Sequence, residues 1–198
     1  HGDAAGLHMG EQTLPLHELE AAMRSVPAGL RILIVDACRT QVERKKGLIP
    51  QKEEFKIDVT WTPGPQGVAV LRSASDGEAA QESGTLRGAV FTHYLLSGLR
   101  GAADANGDRR VTLAEAYAEA YGQTVARSSR AKTLAQRPSA RFNLEGAGPV
   151  VLTHLDRADS VLILPKDEGR PYLVIRRPAG AVLAQVSVRK AVVPISLP

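Results

Sequence analysis

Leu30-Arg31-Ile32-Leu33-Ile34-Val35-Asp36-Ala37-Cys38-Arg39-Thr40 is the stretch whose reading decides the fold. It opens with a largely apolar run rich in β-branched side chains. The run is short enough for one strand buried on both faces. It stops at Asp36, and two residues later stands the only cysteine of the chain. Open α/β sheets place their ligands just past the carboxyl ends of their strands. The expectation is an α/β chain organised around a central strand over 30–36, with Cys38 at its tip.

Working outward, residues 1–15 are Gly-rich and read as loop. A helix is predicted over 17–26, with Leu16, Leu19, Met23 and Val26 on its apolar side, ended by Pro27-Ala28-Gly29. Residues 39–66 form a long polar connection, and connections of that length inside a domain are functional or flexible. A second buried strand is predicted over 67–73. An amphipathic helix follows over 88–99, with Phe91, Leu95, Leu96 and Leu99 inward. Another helix spans 112–127, with Leu113, Ala116, Tyr117, Ala120 and Val125 inward. From about Pro138 the texture changes to short strand-like runs at 150–153, 161–164, 172–175 and 182–186, with turns at Asp167-Glu168-Gly169 and Pro178-Ala179-Gly180. The predicted division is therefore a core over 1–140 and a small antiparallel β-unit over 141–198. A parallel sheet built on 30–36 wants further strands, so the chain reads as a fragment of a longer polypeptide, with an N-terminal piece of the same polypeptide as a partner.

Composition narrows the function classes. The net charge is +4, but the basic residues are scattered apart from Arg44-Lys45-Lys46, and aromatics are only 4%. Nucleic-acid binders need a basic face and stacking rings, so no nucleic-acid partner is expected. No apolar run approaches the roughly 20 residues of a membrane span, so no membrane partner is expected either. One cysteine cannot build a disulfide framework or a thiolate zinc cluster, and the absence of a disulfide framework points to a cytoplasmic setting.

A lone cysteine is an inert core thiol or a nucleophile. A free thiol titrates at about 8.5, so a nucleophilic role needs a base within reach and donors for the developing oxyanion. The candidate bases are His1, His8, His17, His93 and His154. His1 and His8 lie in a Gly-rich loop suited to a site rim, and Gly2 offers an unhindered backbone N–H. Spacing alone does not choose among these histidines.

His1-Gly2, followed by the strand-borne Asp36-Ala37-Cys38-Arg39, resembles the His-Gly and D-x-C motifs of the caspase-like cysteine peptidases. Further motifs follow in order. These are Ser73-Ala74-Ser75, Asp76-Gly77-Glu78-Ala79-Ala80-Gln81-Glu82, Gly88-Ala89-Val90-Phe91-Thr92 and Leu99-Arg100-Gly101-Ala102-Ala103-Asp104. Together they resemble bacterial metacaspase- and orthocaspase-like proteins over about residues 1–140. The resemblance implies a caspase-like three-layer α/β/α sheet whose first strands are absent from this chain. It implies Cys38 as nucleophile, His1 as general base and acid, and the N–H groups of Gly2 and Cys38 as oxyanion hole. Caspases that cut after Asp carry Gln two residues before the cysteine; here that place holds Asp36, as in members that cut after Arg or Lys. A carboxylate at the pocket floor pairs with a basic side chain and repels an acidic one. Asp76 or Glu78 is the expected second acid of this S1 pocket. For Asp36, the competing reading is a structural carboxylate that caps nearby backbone groups. The implied activity is endopeptidase cleavage of a protein or peptide after basic residues, with no cofactor required. The alternative is a non-catalytic caspase-like scaffold that binds partners.

Two stretches remain. Arg39, Arg44, Lys45 and Lys46 lie on the loop after the nucleophile, where the resemblance implies self-cleavage; a solvated charge run explains them equally. Asp104, Asn106, Asp108 and Glu115 fall at the oxygen-ligand positions of an EF-hand loop for calcium, with Arg109 where that loop wants glycine. Thr112 as N-cap and Glu115 three residues later would instead make a capping box without metal.

Overall fold

The computed structural model describes residues 6–37, 65–75, 78, 80–84, 86, 88–130, 135–157, 161–165, 171–176, 180–186 and 193–196. The molecule is mixed α/β. It begins with a small hairpin, β1 (Leu7–Met9) and β2 (Gln12–Leu14), closed at Gly10. The sequence reads this region as loop because strands this short carry no periodic signal. Helix α1 (Leu16–Ser25) follows, then β3 (Leu30–Val35) and β4 (Gln66–Arg72). β3 and β4 pair in parallel from Leu30↔Gly67 to Val35↔Arg72.

The next elements in the chain are the short antiparallel pair β5 (Glu82–Ser83) and β6 (Gly88–Ala89), helix α2 (Val90–Ser97), β7 (Arg110–Thr112) and helix α3 (Leu113–Arg130). β8 (Ser139–Glu145) then returns to the main sheet and pairs antiparallel with β4, with Leu71 opposite Ala140. The sheet order is β3-β4-β8.

Among the described residues β4 is thus the middle strand and β3 an edge, whereas the sequence reading puts 30–36 at the centre. Burial follows position. Val68 to Leu71 of β4 are all buried, while Ile34 of β3 is 45% exposed. β8 is the strand of this sheet that the sequence reading lacks. Its alternation of Ala140, Phe142 and Leu144 with Arg141, Asn143 and Glu145 is the pattern of a half-buried antiparallel strand. Gly67 is required where β8 crosses β4: its φ is +115°, and a Cβ there would lie 2.3 Å from the Asn143 carbonyl oxygen.

The two sheet faces receive different helices. Ala69 and Leu71, flanked by Leu30, Ile32, Ala140 and Leu144, meet Val90, Phe91, Tyr94 and Leu95 of α2 and Leu113, Ala116 and Ala120 of α3. The opposite face carries Arg72 and Arg141, which reach across to α1. Glu20 of α1 accepts from Arg72 at 3.0 Å and pairs with Arg141. Burial raises the affinity of this carboxyl for a proton, but the two guanidiniums outweigh it and hold Glu20 below its ordinary range. α1 has no fully buried residue, and this ion cluster links it to the sheet.

The periodicity of α2 and α3 predicts their inner faces in part. Leu96, expected inward, is 44% exposed, and Tyr94 takes the buried place. On α3 the buried stripe continues through Thr124 and Ser128 in place of Val125. α2 runs into one wide turn, Gly98–Ala102, broken at Gly101 with φ +122°. Gly98 is tightly placed against the end of this turn, since a Cβ there would sit 3.2 Å from the Ala103 Cβ; the Ala116 backbone of α3, at 3.7 Å, would be in ordinary contact.

The remaining strands are β9 (Val151–His154), β10 (Val161–Leu164), β11 (Tyr172–Arg176), β12 (Ala181–Val186) and β13 (Val193–Ser196). β9 pairs with β7, β10 with β13, and β11 with β12, each antiparallel. β12 lies against α2 and the wide turn. The Gln185 N–H donates to Ser97 Oγ at 3.2 Å, and Arg100 donates to the Leu183 carbonyl. Leu164, Ala184 and Val186 form a second small core there with Ala102, Leu162, Tyr172 and Val174. Among the described residues no helix is long and apolar enough to cross a membrane.

Candidate functional site

The described part of the site starts where β3 ends. Asp36 is half-buried. The Thr92 hydroxyl, in the first turn of α2, donates to its Oδ2. The other oxygen, Oδ1, has no hydrogen-bond partner among the described residues. A carboxylate with one oxygen held and one open can accept a charged donor from outside the protein.

The segment after β4 forms the next wall. The Ser73 N–H continues the ladder by donating to the Val35 carbonyl at 2.9 Å. Beyond it the backbone leaves the sheet and is clipped from behind by Gln136 and Arg137. Gln136 is fully buried; its Nε2 donates to the Ser73 carbonyl at 2.6 Å, and its Oε1 accepts from the Gln81 N–H at 2.9 Å. One side chain therefore ties both ends of the 73–81 segment. Ser128 Oγ of α3 in turn accepts from the Gln136 N–H at 3.0 Å. The Arg137 carbonyl accepts from the Ser75 N–H at 2.7 Å and from Ser75 Oγ at 2.9 Å.

Glu78, expected as a second pocket acid, belongs to this clip. Its Oε2 accepts from the Arg137 N–H at 2.7 Å and its Oε1 from the Arg137 guanidinium at 2.8 Å. Both oxygens are engaged and the charge is compensated, so a substrate cation would have to displace Arg137. Asp36 is the better placed of the two carboxylates. Sequence reasoning assigned no role to Thr92, Gln136 or Arg137. Thr92 was visible inside the Gly88–Thr92 motif. For Gln136 and Arg137 the available signal was a Gln-Arg-Pro run just before a strand.

His1, Gly2, Cys38, Asp76, Arg39, Arg44, Lys45 and Lys46 lie outside the described residues. The other histidines are placed. His8 lies in the β1–β2 hairpin, where its Nδ1 is 3.1 Å from Thr13 Oγ1. His17 is exposed on α1, and His154 is half-buried in β9 opposite Arg110. His93 is buried in α2 with its ring edge-on to Tyr94, and its Nε2 has no hydrogen-bond partner among the described residues. Burial, aided by Arg127 and Arg100, lowers its affinity for a proton and favours the neutral ring.

The 104–115 loop is folded by its own side chains. Asp104 accepts from the N–H groups of Gly107 and Arg109 at 2.8 and 3.1 Å. Asn106 accepts from the Asp108 N–H, and Asp108 from the Arg110 N–H, both at 2.8 Å. Arg109 takes the left-handed conformation, φ +62°, that an EF-hand gives to glycine. Glu115 closes a reciprocal capping box: its Oε2 accepts from the Thr112 N–H at 3.0 Å, and its own N–H donates to Thr112 Oγ1 at 3.2 Å. As arranged, Glu115 is turned to the helix start and engaged there by Thr112. Among the described residues no group of three His, Cys, Asp or Glu converges on a metal position. No family model, curated protein or solved structure matches the chain.

Proposed function

We propose that this protein is a cysteine endopeptidase of caspase-like type that cleaves after Arg or Lys. The observation that carries the reading is the Asp36 carboxylate. It stands at the carboxyl end of β3, two residues before Cys38, with one oxygen held by Thr92 and the other without a partner among the described residues. The parallel β3–β4 pair, with helices packed on both sheet faces, agrees with the three-layer caspase-like arrangement that the motifs imply.

In this reading the P1 ammonium or guanidinium pairs with Asp36 and lays the scissile carbonyl beside Cys38. His1 takes the thiol proton, and the sulfur attacks the carbonyl carbon. The N–H groups of Gly2 and Cys38 stabilise the oxyanion. Collapse of the tetrahedral intermediate breaks the C–N bond, and His1 returns the proton to the leaving amine. Water, deprotonated by His1, then cleaves the thioester and regenerates the thiol. Asp76 adds negative charge to the pocket, and Arg39, Arg44, Lys45 and Lys46 are the basic residues at which the same specificity would cut the chain itself.

Fluorogenic peptides with Arg, Lys or Asp at P1 test this directly. Cleavage of the basic pair alone, abolished by Cys38→Ala, is expected. Cleavage that survives Cys38→Ala, or none of any peptide, overturns it. A scaffold reading has one observation in its favour: Ile163, Leu173 and Ile175 are exposed on β10 and β11 and could face a partner. That reading predicts no turnover by the wild-type chain.

A further inference from the structure

We propose that Thr92 is a positioning residue of the basic-residue pocket: its hydroxyl sets the orientation of the Asp36 carboxylate and so determines how well a P1 cation is held. The inference rests on the peptidase reading above and adds a residue to it.

A threonine inside a helix ordinarily turns its hydroxyl back to a carbonyl three or four residues earlier, or serves as a cap. Thr92 does neither. The residue preceding α2 is Ala89, which offers no side-chain cap, and the Thr92 hydroxyl donates across 56 positions of sequence to Asp36 Oδ2. The helix that carries it is rigidly seated. Phe91, immediately before Thr92, is fully buried, and Tyr94 and Leu95 are buried in the same core. The donor is therefore presented from a packed element, as a supporting contact must be if it is to aim a charged group.

The carboxylate it holds comes from the first residues past a strand end, where backbone constraint is weakest. Asp36 has two side-chain torsions, and the second rotates the oxygens about the Cβ–Cγ bond. Pinning Oδ2 fixes that torsion and leaves Oδ1 directed by geometry rather than averaged over rotation. No other donor reaches Asp36 among the described residues. Loss of the hydroxyl leaves the charge in place but releases its direction. The consequence belongs to substrate binding rather than to the bond-making step, because Thr92 touches neither the thiol nor the scissile carbonyl in this scheme.

Thr92→Val keeps the β-branch and volume and removes the donor; Thr92→Ser keeps the donor. With P1-Arg and P1-Lys peptides, Thr92→Val is expected to raise KM about tenfold with kcat little changed, the pattern of lost uniform binding, since hydrogen bonds to charged groups have roughly that worth. Thr92→Ser is expected to stay within about threefold of wild type. Alkylation of Cys38 by iodoacetamide, an uncharged probe that uses no P1 pocket, should proceed at the wild-type rate in both variants.

A KM for Thr92→Val within about twofold of wild type overturns the positioning role while leaving the peptidase reading intact. Equal loss in both variants, with slowed alkylation, makes Thr92 a packing residue and also overturns it. A wild-type chain that cleaves no basic-P1 peptide removes the peptidase reading, and the pocket with it.

Discussion

At the scale of single residues, the two oxygens of Asp36 have different surroundings. One is fixed by Thr92, and the other has no partner among the described residues. Glu78 has both oxygens on Arg137. The sequence reading put Asp36 at the pocket floor and Asp76 or Glu78 beside it, but nothing in it said that Glu78 is neutralised. Arg137 lies 59 positions from Glu78, and no local pattern announces the pair. The difference predicts different mutants. Asp36→Asn should lower kcat/KM for basic P1 peptides about 10- to 100-fold, the loss expected when a charge-assisted contact becomes neutral. Glu78→Gln should change that ratio little and act on stability. Steady-state kinetics on the two variants, with thermal melts alongside, separates the roles.

At the scale of elements, legibility followed periodicity. α1, α2, α3, β3 and β4 announce themselves because each repeats an apolar spacing over a turn or more, or runs apolar between breakers. β1, β2 and β13 are strands of only three or four residues, and they owe their shape to pairing partners rather than to propensity. β8 was readable by alternation but was masked by the change of texture at Pro138.

The start of α3 was readable in two ways, as an ion loop or as a cap, and Glu115 served in both. The hydrogen bonds place Glu115 in the capping box and turn Asp104, Asn106 and Asp108 toward loop amides. Thr112→Ala should therefore cost about 1 kcal/mol in chemical denaturation. Millimolar calcium should leave both wild-type and variant melts unmoved. A calcium-dependent rise in wild-type melting temperature would mean that Glu115 releases Thr112 to bind the ion.

At the scale of the whole molecule, α2 is the hub. It fills the core through Phe91 and Tyr94 and reaches the Asp36 carboxylate through Thr92. At its far end it receives β12 through Ser97, with Tyr94 OH 3.4 Å from Gln185. The C-terminal strands and the candidate site are thus joined by one helix, a connection that no stretch of sequence displays because its parts lie near positions 36, 92 and 185.

His93 sits inside this hub as a buried neutral ring, with Arg127 of α3 and Arg100 of the wide turn nearby. Its folded-state proton affinity lies below the ordinary value of 6.5, so below that pH the unfolded chain binds the extra proton first. The stability it supports is complete above about pH 6.5 and declines as pH falls from there through the lower folded-state value. Melting temperature should drop between pH 7.5 and 5.5, and His93→Gln should flatten that part of the profile. A profile identical in the variant would place the proton uptake elsewhere.

The central claim is that Cys38 serves a pocket floored by Asp36. The most direct measurement is the intact mass of the protein after incubation with peptidyl chloromethyl ketones bearing Arg or Asp at the position next to the warhead. The account predicts a single adduct on Cys38 with the arginyl reagent, none with the aspartyl reagent, and a much slower arginyl reaction in Asp36→Asn. Equal labelling by the two reagents, or arginyl labelling that Asp36→Asn leaves unchanged, would contradict it.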